Sequence, residues 1–110
     1  MSDYHVVTLP TAEADVETLF QDKAERSETN ALRFLAEFAG LIERLEQAPR
    51  ATPIAYEDRF FDETIRDAYF GKPKRRRHRA LTLIRDDAVY ILRVRAPGQD
   101  WLTAEELRLP

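Results

Sequence analysis

The sequence has no cysteine, and its 110 residues include only two histidines, three glycines and one tryptophan. Without cysteine there can be no disulfide framework, no thiolate metal site and no cysteine nucleophile. A metal site is not expected, because His5 and His78 are the only imidazole ligands available. No glycine-rich phosphate loop, Ser-His-Asp set or HExxH pattern occurs, and we expect no cofactor. The acidic stretches 13–28 and 57–63 lack calcium-loop spacing, so we interpret them as solvated faces.

The sequence also lacks a long apolar run. No segment approaches the roughly 20 residues needed to cross a bilayer. The first residues do not show the basic and then apolar pattern of a signal peptide. We therefore expect a cytoplasmic protein that does not bind membranes. The chain length predicts one domain over residues 1–110.

Charge is distributed unevenly along the chain. Residues 1–64 contain six Lys/Arg and fourteen Asp/Glu, whereas residues 65–95 contain ten Lys/Arg and three Asp/Glu, within a net charge of −3. Six of the eight residues 72–79 are cationic. A compact cationic surface attracts phosphate or an acidic partner. The alternative interpretation is that this run is only a solvated loop.

The first half of the chain predicts a strand and two helices. Residues 4–9 are rich in β-branched and aromatic side chains and are followed by Pro10, which is typical of a strand end. Apolar residues then recur at the helical period in two segments. We expect Thr11 to cap the first helix, and Ser27 or Thr29 to begin the second, which ends before Pro49.

The second half predicts a long loop and three strands. Residues 49–64 carry two prolines and no period, and we expect Phe60 and Phe61 to anchor this loop to the core. Strands are predicted at 65–70, 79–85 and 88–95, then a short helix over 103–107. Trp101 is either a plug at the edge of the core or a stacking platform for a base. The order predicts an α+β fold: a strand, a helical hairpin packed on one sheet face, then a three-stranded antiparallel meander.

A two-residue turn at Asp86-Asp87 would decide which hairpin residues oppose each other. It would pair Ala80 with Arg93 and His78 with Arg95, so that one open face gathers these arginines beside His78. The helices would then cover the other face, which carries Leu81, Leu83, Tyr90, Leu92 and Val94. The open face would suit a phosphodiester backbone, or its arginines could simply pair with nearby acids. A one-residue bulge would swap the two faces.

This order of elements, with the segment His78–Arg95, resembles the RelE/ParE superfamily of toxins from bacterial type II toxin–antitoxin modules. The resemblance covers roughly residues 4–100 and includes the helix end at Leu45–Pro49 and the strand that opens with Ile65. It implies a growth-inhibiting toxin that a cognate antitoxin neutralises. The antitoxin is expected to lay acidic and apolar residues over the basic sheet and the helical hairpin.

Membership of the superfamily implies one of two activities. RelE-like members cleave mRNA in the ribosomal A site, whereas ParE-like members poison DNA gyrase. The basic loop favours the ribosome-dependent ribonuclease as our expectation. The alternatives are gyrase inhibition, or a module of the same fold that binds nucleic acid or protein without catalysis.

The resemblance also implies roles for individual residues in a ribonuclease. Arg79 matches the arginine that opens the family's third strand, and with Arg95 it would stabilise the scissile phosphate without a metal. His78 would act as acid or base, because residues 96–110 contain no His or Tyr for that role. Replacing Arg79 and Arg95 with Ala would abolish toxicity and leave the fold intact. The residues expected to bind nucleic acid are Lys72, Lys74, Arg75, Arg76, Arg77 and Arg93.

Overall fold

The predicted α+β architecture is confirmed. The computed structural model describes residues 3–72 and 77–110. The elements in chain order are β1 (His5–Thr8), α1 (Pro10–Arg26), α2 (Glu28–Gln47), β2 (Ile65–Phe70), β3 (His78–Arg85) and β4 (Ala88–Arg95). Strands β2 and β4 have the predicted bounds, and β3 begins one residue earlier than expected. None of the helices in the described ranges is long and apolar enough to cross a membrane.

The starts of the two helices follow different rules. Helix α1 has Pro10 at its first position, where the missing N–H of proline costs no hydrogen bond. The predicted cap, Thr11, lies inside the helix, and its hydroxyl donates to the Leu92 carbonyl at 2.9 Å. Helix α2 is capped by Ser27, whose Oγ accepts from the Asn30 N–H at 3.2 Å. The prediction of a cap at Ser27 is confirmed, and the prediction of one at Thr11 is wrong.

The sheet is mixed, with the strand order β1-β4-β3-β2. Strand β1 runs parallel to β4, and the other neighbours are antiparallel. The helical hairpin covers one face, where Phe34 and Phe38 pack with Ile91 and Val94. The opposite face is buried by the connection before β2 and by the C-terminal segment. The buried residues of this second core are Ala55, Ile65, Leu81, Leu83, Leu92, Leu102 and Leu107.

A register shift in the β3–β4 hairpin decides where the arginines lie. Near the turn Thr82 pairs with Ile91, but beyond a shift Ala80 pairs with Val94 and Arg79 pairs with Arg95. The predicted pairing of His78 with Arg95 is therefore wrong, because Leu92 has no partner in β3 and every later side chain of β4 lies on the other face. The prediction that helices cover the Leu81 face is also wrong, since the C-terminal leucines bury it.

Two segments outside the main elements differ from their predicted structure, the 49–64 connection and the C-terminal residues 103–107. The 49–64 connection contains two short 3₁₀ helices, Pro49–Ala51 and Tyr56–Phe60. Phe61 packs against the second core, but Phe60 is 42% exposed and does not anchor the loop. Residues 103–107 form a turn and not a helix. Thr103 and Glu106 nevertheless exchange the hydrogen bonds of a capping box.

One carboxylate fastens α1 to the strand that carries the register shift. Asp15 accepts from Arg93 Nε at 2.7 Å, from Arg93 Nη2 at 2.9 Å and from the Val94 N–H at 2.9 Å. Bidentate pairing of this kind is stronger and more directional than an ordinary surface ion pair. Asp15 therefore holds the helix in register with β4.

Replacing Asp15 with Ala should lower the free energy of unfolding by about 1–3 kcal/mol, because it removes charge-assisted hydrogen bonds from a half-buried site. Urea unfolding followed by circular dichroism measures this. Asp22→Ala is the matched control, since Asp22 is an exposed residue of the same helix. Equal stabilities of the two variants would contradict the role of Asp15.

Candidate functional site

Arg79 lies at the centre of a buried ion cluster on the sheet face that packs against the C-terminal segment. Its Nη1 and Nη2 donate to the two carboxylate oxygens of Glu57 at 3.0 and 2.6 Å. Its Nε donates to Asp67 Oδ1 at 2.8 Å. Glu57 is 0% exposed, and Asp67 and Arg79 are also buried. Each guanidinium nitrogen is thus engaged by a carboxylate of the same chain.

The pKa shifts follow from this geometry. Burial alone would raise the pKa of Glu57, but hydrogen bonds from Arg79 and the Leu102 N–H outweigh burial and lower it. Burial raises the pKa of Asp67, and Arg79 offsets this only in part. Glu57 receives both ends of the guanidinium whereas Asp67 receives only Nε, so Glu57 is the principal partner.

The ion cluster also fixes the start of the C-terminal segment. Glu57 Oε2 accepts from the Leu102 N–H at 2.9 Å. The neighbouring Trp101 ring stacks on Tyr56 with centroids 4.8 Å apart, and Arg79 Cζ lies 4.9 Å from the Trp101 centroid. Trp101 therefore packs on side chains of its own chain, but it is 53% exposed and belongs to neither core, so both predicted roles of Trp101 stay predictions.

His78 lies on the opposite face, beneath the helices. Successive residues of a strand point to opposite sides, so His78 and Arg79 diverge. The imidazole packs between Phe34 and Phe70, with centroid distances of 5.0 and 5.2 Å. Burial, with a contribution from Lys23, lowers the pKa of His78 to about 4. The ring is therefore neutral at pH 7, and the structure does not bring it together with Arg79 and Arg95.

The remaining arginines of the hairpin are engaged in different ways. Arg95 lies opposite Arg79, as the register requires, and its Nη2 donates to the Asp100 carbonyl at 2.8 Å. Arg93 is held by Asp15, and its hydrogen bonds to this carboxylate raise the pKa of the Arg93 guanidinium. The alternative interpretation, that such arginines pair with nearby acids, thus describes Arg93 and Arg79.

The basic segment between β2 and β3 is described only at its ends. Lys72 is exposed and follows Gly71, whose φ of 108° is readily adopted only by glycine. Arg77 is exposed, with its Cζ 5.0 Å from the Tyr69 ring centroid. Lys74, Arg75 and Arg76 lie outside the described residues. The nucleic-acid-binding role of all five stays a prediction.

The roles of Arg79, Arg95 and His78 in catalysis also stay a prediction, and the geometry does not favour them as a group. Within residues 3–72 and 77–110, no group of three or more His, Asp or Glu side chains could hold a metal ion. Sequence reasoning missed Glu57 and Asp67. Glu57 lies in a stretch that was interpreted as a solvated face, and only the folded topology brings it to Arg79.

Comparison with known families supports what the fold suggests. The family model described as the ParE toxin of the type II toxin–antitoxin system, parDE, matches residues 6–101. The chain belongs to this ParE toxin family. It is therefore the toxin component of a type II module, and its partner is an antitoxin. A search of curated proteins finds no match. The predicted superfamily is confirmed, and the family matched within it is the ParE one.

Replacing Arg79 with Ala should lower the free energy of unfolding by about 3–5 kcal/mol, because it leaves two carboxylates buried without their counter-ion. This differs from the expectation that the variant with both Arg79 and Arg95 replaced by Ala keeps its fold. Thermal and urea unfolding measure the effect. Arg95→Ala is the control, and it should cost less because Arg95 donates to an exposed carbonyl. Wild-type stability of Arg79→Ala would contradict the structural role.

The stability of the protein should fall as pH decreases from about 6.5 to about 4. In that window the unfolded chain binds a proton at His78, whereas the folded state, with its pKa of about 4, does not. Urea unfolding at pH 7 and at pH 5 measures the difference. His78→Phe keeps a ring between Phe34 and Phe70 and should show a smaller difference than the wild type. An unchanged difference would show that His78 is not the group responsible.

Proposed function

We propose that this toxin inhibits growth by acting on DNA gyrase, and not by cutting mRNA. The observation that carries the proposal is the state of Arg79, the residue that the ribonuclease hypothesis places at the scissile phosphate. Its three nitrogens are occupied by Glu57 and Asp67. Releasing them toward RNA would leave two buried carboxylates without a counter-ion, at a cost of several kcal/mol.

The position of His78 supports the same proposal. An acid or base must lie within hydrogen-bond reach of the group that gives or takes the proton. His78 lies under the helical hairpin, on the face opposite Arg79, and its pKa of about 4 makes it a poor proton donor at pH 7. Arg95 alone would then remain of the three residues that the ribonuclease requires.

A toxin that inhibits gyrase by binding to it does not need Arg79 or His78 as catalytic groups. A toxin that holds an enzyme in a non-productive state requires a stable surface, and this fold provides one with cores on both sheet faces. The family match to ParE toxins and the gyrase-directed activity implied by the ParE-like resemblance agree with this mode of action. The antitoxin would neutralise the toxin by covering the same surface.

Two reactions with purified toxin test the proposal. Added to gyrase, ATP and relaxed plasmid, the toxin should block supercoiling and increase the fraction of cleaved plasmid. Added to ribosomes translating a defined mRNA, it should produce no new 5′ ends. Prior mixing with the cognate antitoxin should remove the effect on gyrase. New 5′ ends within the open reading frame, with supercoiling unaffected, would contradict the proposal and restore the ribonuclease.

A further inference from the structure

Four cations from three parts of the chain converge on one cleft at the end of the helical hairpin where Ser27 joins the two helices. Lys23 and Arg26 come from the last two turns of α1, Arg33 from α2, and Lys72 from the segment after β2. The buried rings of Phe34 and His78 line the same cleft, which has a volume of about 330 Å³. We call this site the cationic cleft.

The charges of the cationic cleft are not balanced within the chain. None of its four cations forms an ion pair in the part of the chain that the structure describes. The other residues, 1–2 and 73–76, contain no Asp or Glu that could supply a partner. Glu37 is the single carboxylate that lines the cleft. In a protein whose net charge is −3, this is a local excess of positive charge.

Helix electrostatics explains only part of this arrangement. Lys23 and Arg26 lie near the C-terminus of α1, where the helix dipole favours cations. Arg33 is in the second turn of α2 and Lys72 is in a connection, so neither gains from a helix C-terminus. Like charges brought together repel each other, and an anion bound between them would relieve that repulsion.

We infer that the cationic cleft binds phosphate groups of a nucleic-acid backbone. The guanidinium groups of Arg26 and Arg33 can donate paired hydrogen bonds to phosphate oxygens, and the lysines add point charges. His78 on the wall is neutral at pH 7 and does not compete for the anion. Lys72, the first cation of the basic run 72–79, lines the cleft as well.

The surface of the cleft favours nucleic acid over an acidic protein segment. Phe34 is 2% exposed, so its ring is covered and cannot anchor an apolar side chain of a partner. Protein partners usually place apolar or aromatic residues at the centre of an interface. A phosphodiester chain instead offers regularly spaced charge, and backbone phosphate contacts need no apolar anchor.

Fluorescence anisotropy with a labelled duplex DNA, repeated over a range of salt concentrations, tests the inference. The variant Arg26→Gln/Arg33→Gln should bind about tenfold more weakly, with a log–log salt slope smaller by roughly 1–2, since each phosphate contact contributes about 0.9. Both side chains are exposed, so the fold should persist. The matched control is Arg50→Gln/Arg108→Gln, which removes the same charge from exposed positions that do not line the cleft.

A labelled single-stranded RNA of the same length distinguishes the source of the phosphates. If the cleft variant loses affinity for DNA or for RNA and the control variant does not, the inference is supported, and the nucleic acid concerned is identified as the one that binds. Equal affinity and slope for the cleft variant and the control pair, on both nucleic acids, would overturn it. Weaker binding to the antitoxin, with nucleic-acid binding unchanged, would also overturn it and assign the cleft to an acidic protein.

The inference does not depend on gyrase being the target, and the assay contains no gyrase. Loss of DNA binding in the cleft variant, with a wild-type toxin that leaves supercoiling unaffected, would remove the proposed function and keep the cleft. If the wild-type toxin inhibits gyrase and the cleft variant binds nucleic acid as well as the control does, the proposed function stands and the role of the cleft is overturned.

Discussion

The buried guanidinium of Arg79 connects the parts of the chain on which one side of the sheet depends. It pairs with Glu57 from the connection before β2 and with Asp67 from β2 itself, while it projects from β3. Glu57 in turn accepts from Leu102, where the C-terminal segment begins to cover the second core. A charge can stay in this environment only with its partners in place, so the cluster requires all of these segments to dock together.

The register of the β3–β4 hairpin determines which residues of β4 lie beside the cluster. The shift leaves Leu92 of β4 without a partner in β3, so that Arg95 lies on the face of Arg79, opposite to the face of His78. Asp15 reaches the same strand from α1 and holds Arg93 at the next paired position. The functional assignment of Arg93 and Arg95 therefore depends on this irregularity. With a regular two-residue hairpin, His78, Arg93 and Arg95 would share one face, and in this fold that face is covered by the helices.

The sequence predicted the periodic parts of this fold and missed the contacts that depend on topology. Helix α2 and strand β4 carry strong apolar periods, and the Ser27 cap and the superfamily followed from local residues and their order. A bulge has no comparable local signal, so the faces of the hairpin were assigned wrongly. Glu57 could not be recognised, because an acid in a polar stretch gives no sign of a partner 22 residues away. Of the four cations that line the cationic cleft, only Lys72 is among the residues predicted from the sequence to bind nucleic acid, since Lys23, Arg26 and Arg33 reach the cleft through the fold of the hairpin.

In the proposed mode of action, Arg79 stabilises the fold and is not required for toxicity. The most direct test is growth after induction of a neutral variant, Glu57→Gln/Asp67→Asn/Arg79→Met, in which a glutamine oxygen can still accept from Leu102. Neutral groups of similar size avoid the cost of a buried charge without its counter-ion, and circular dichroism together with antitoxin binding would establish that the variant is folded. We expect the folded variant still to arrest growth, because none of the three replaced side chains would contact the target. Loss of growth arrest in a variant that is folded and binds the antitoxin would contradict it.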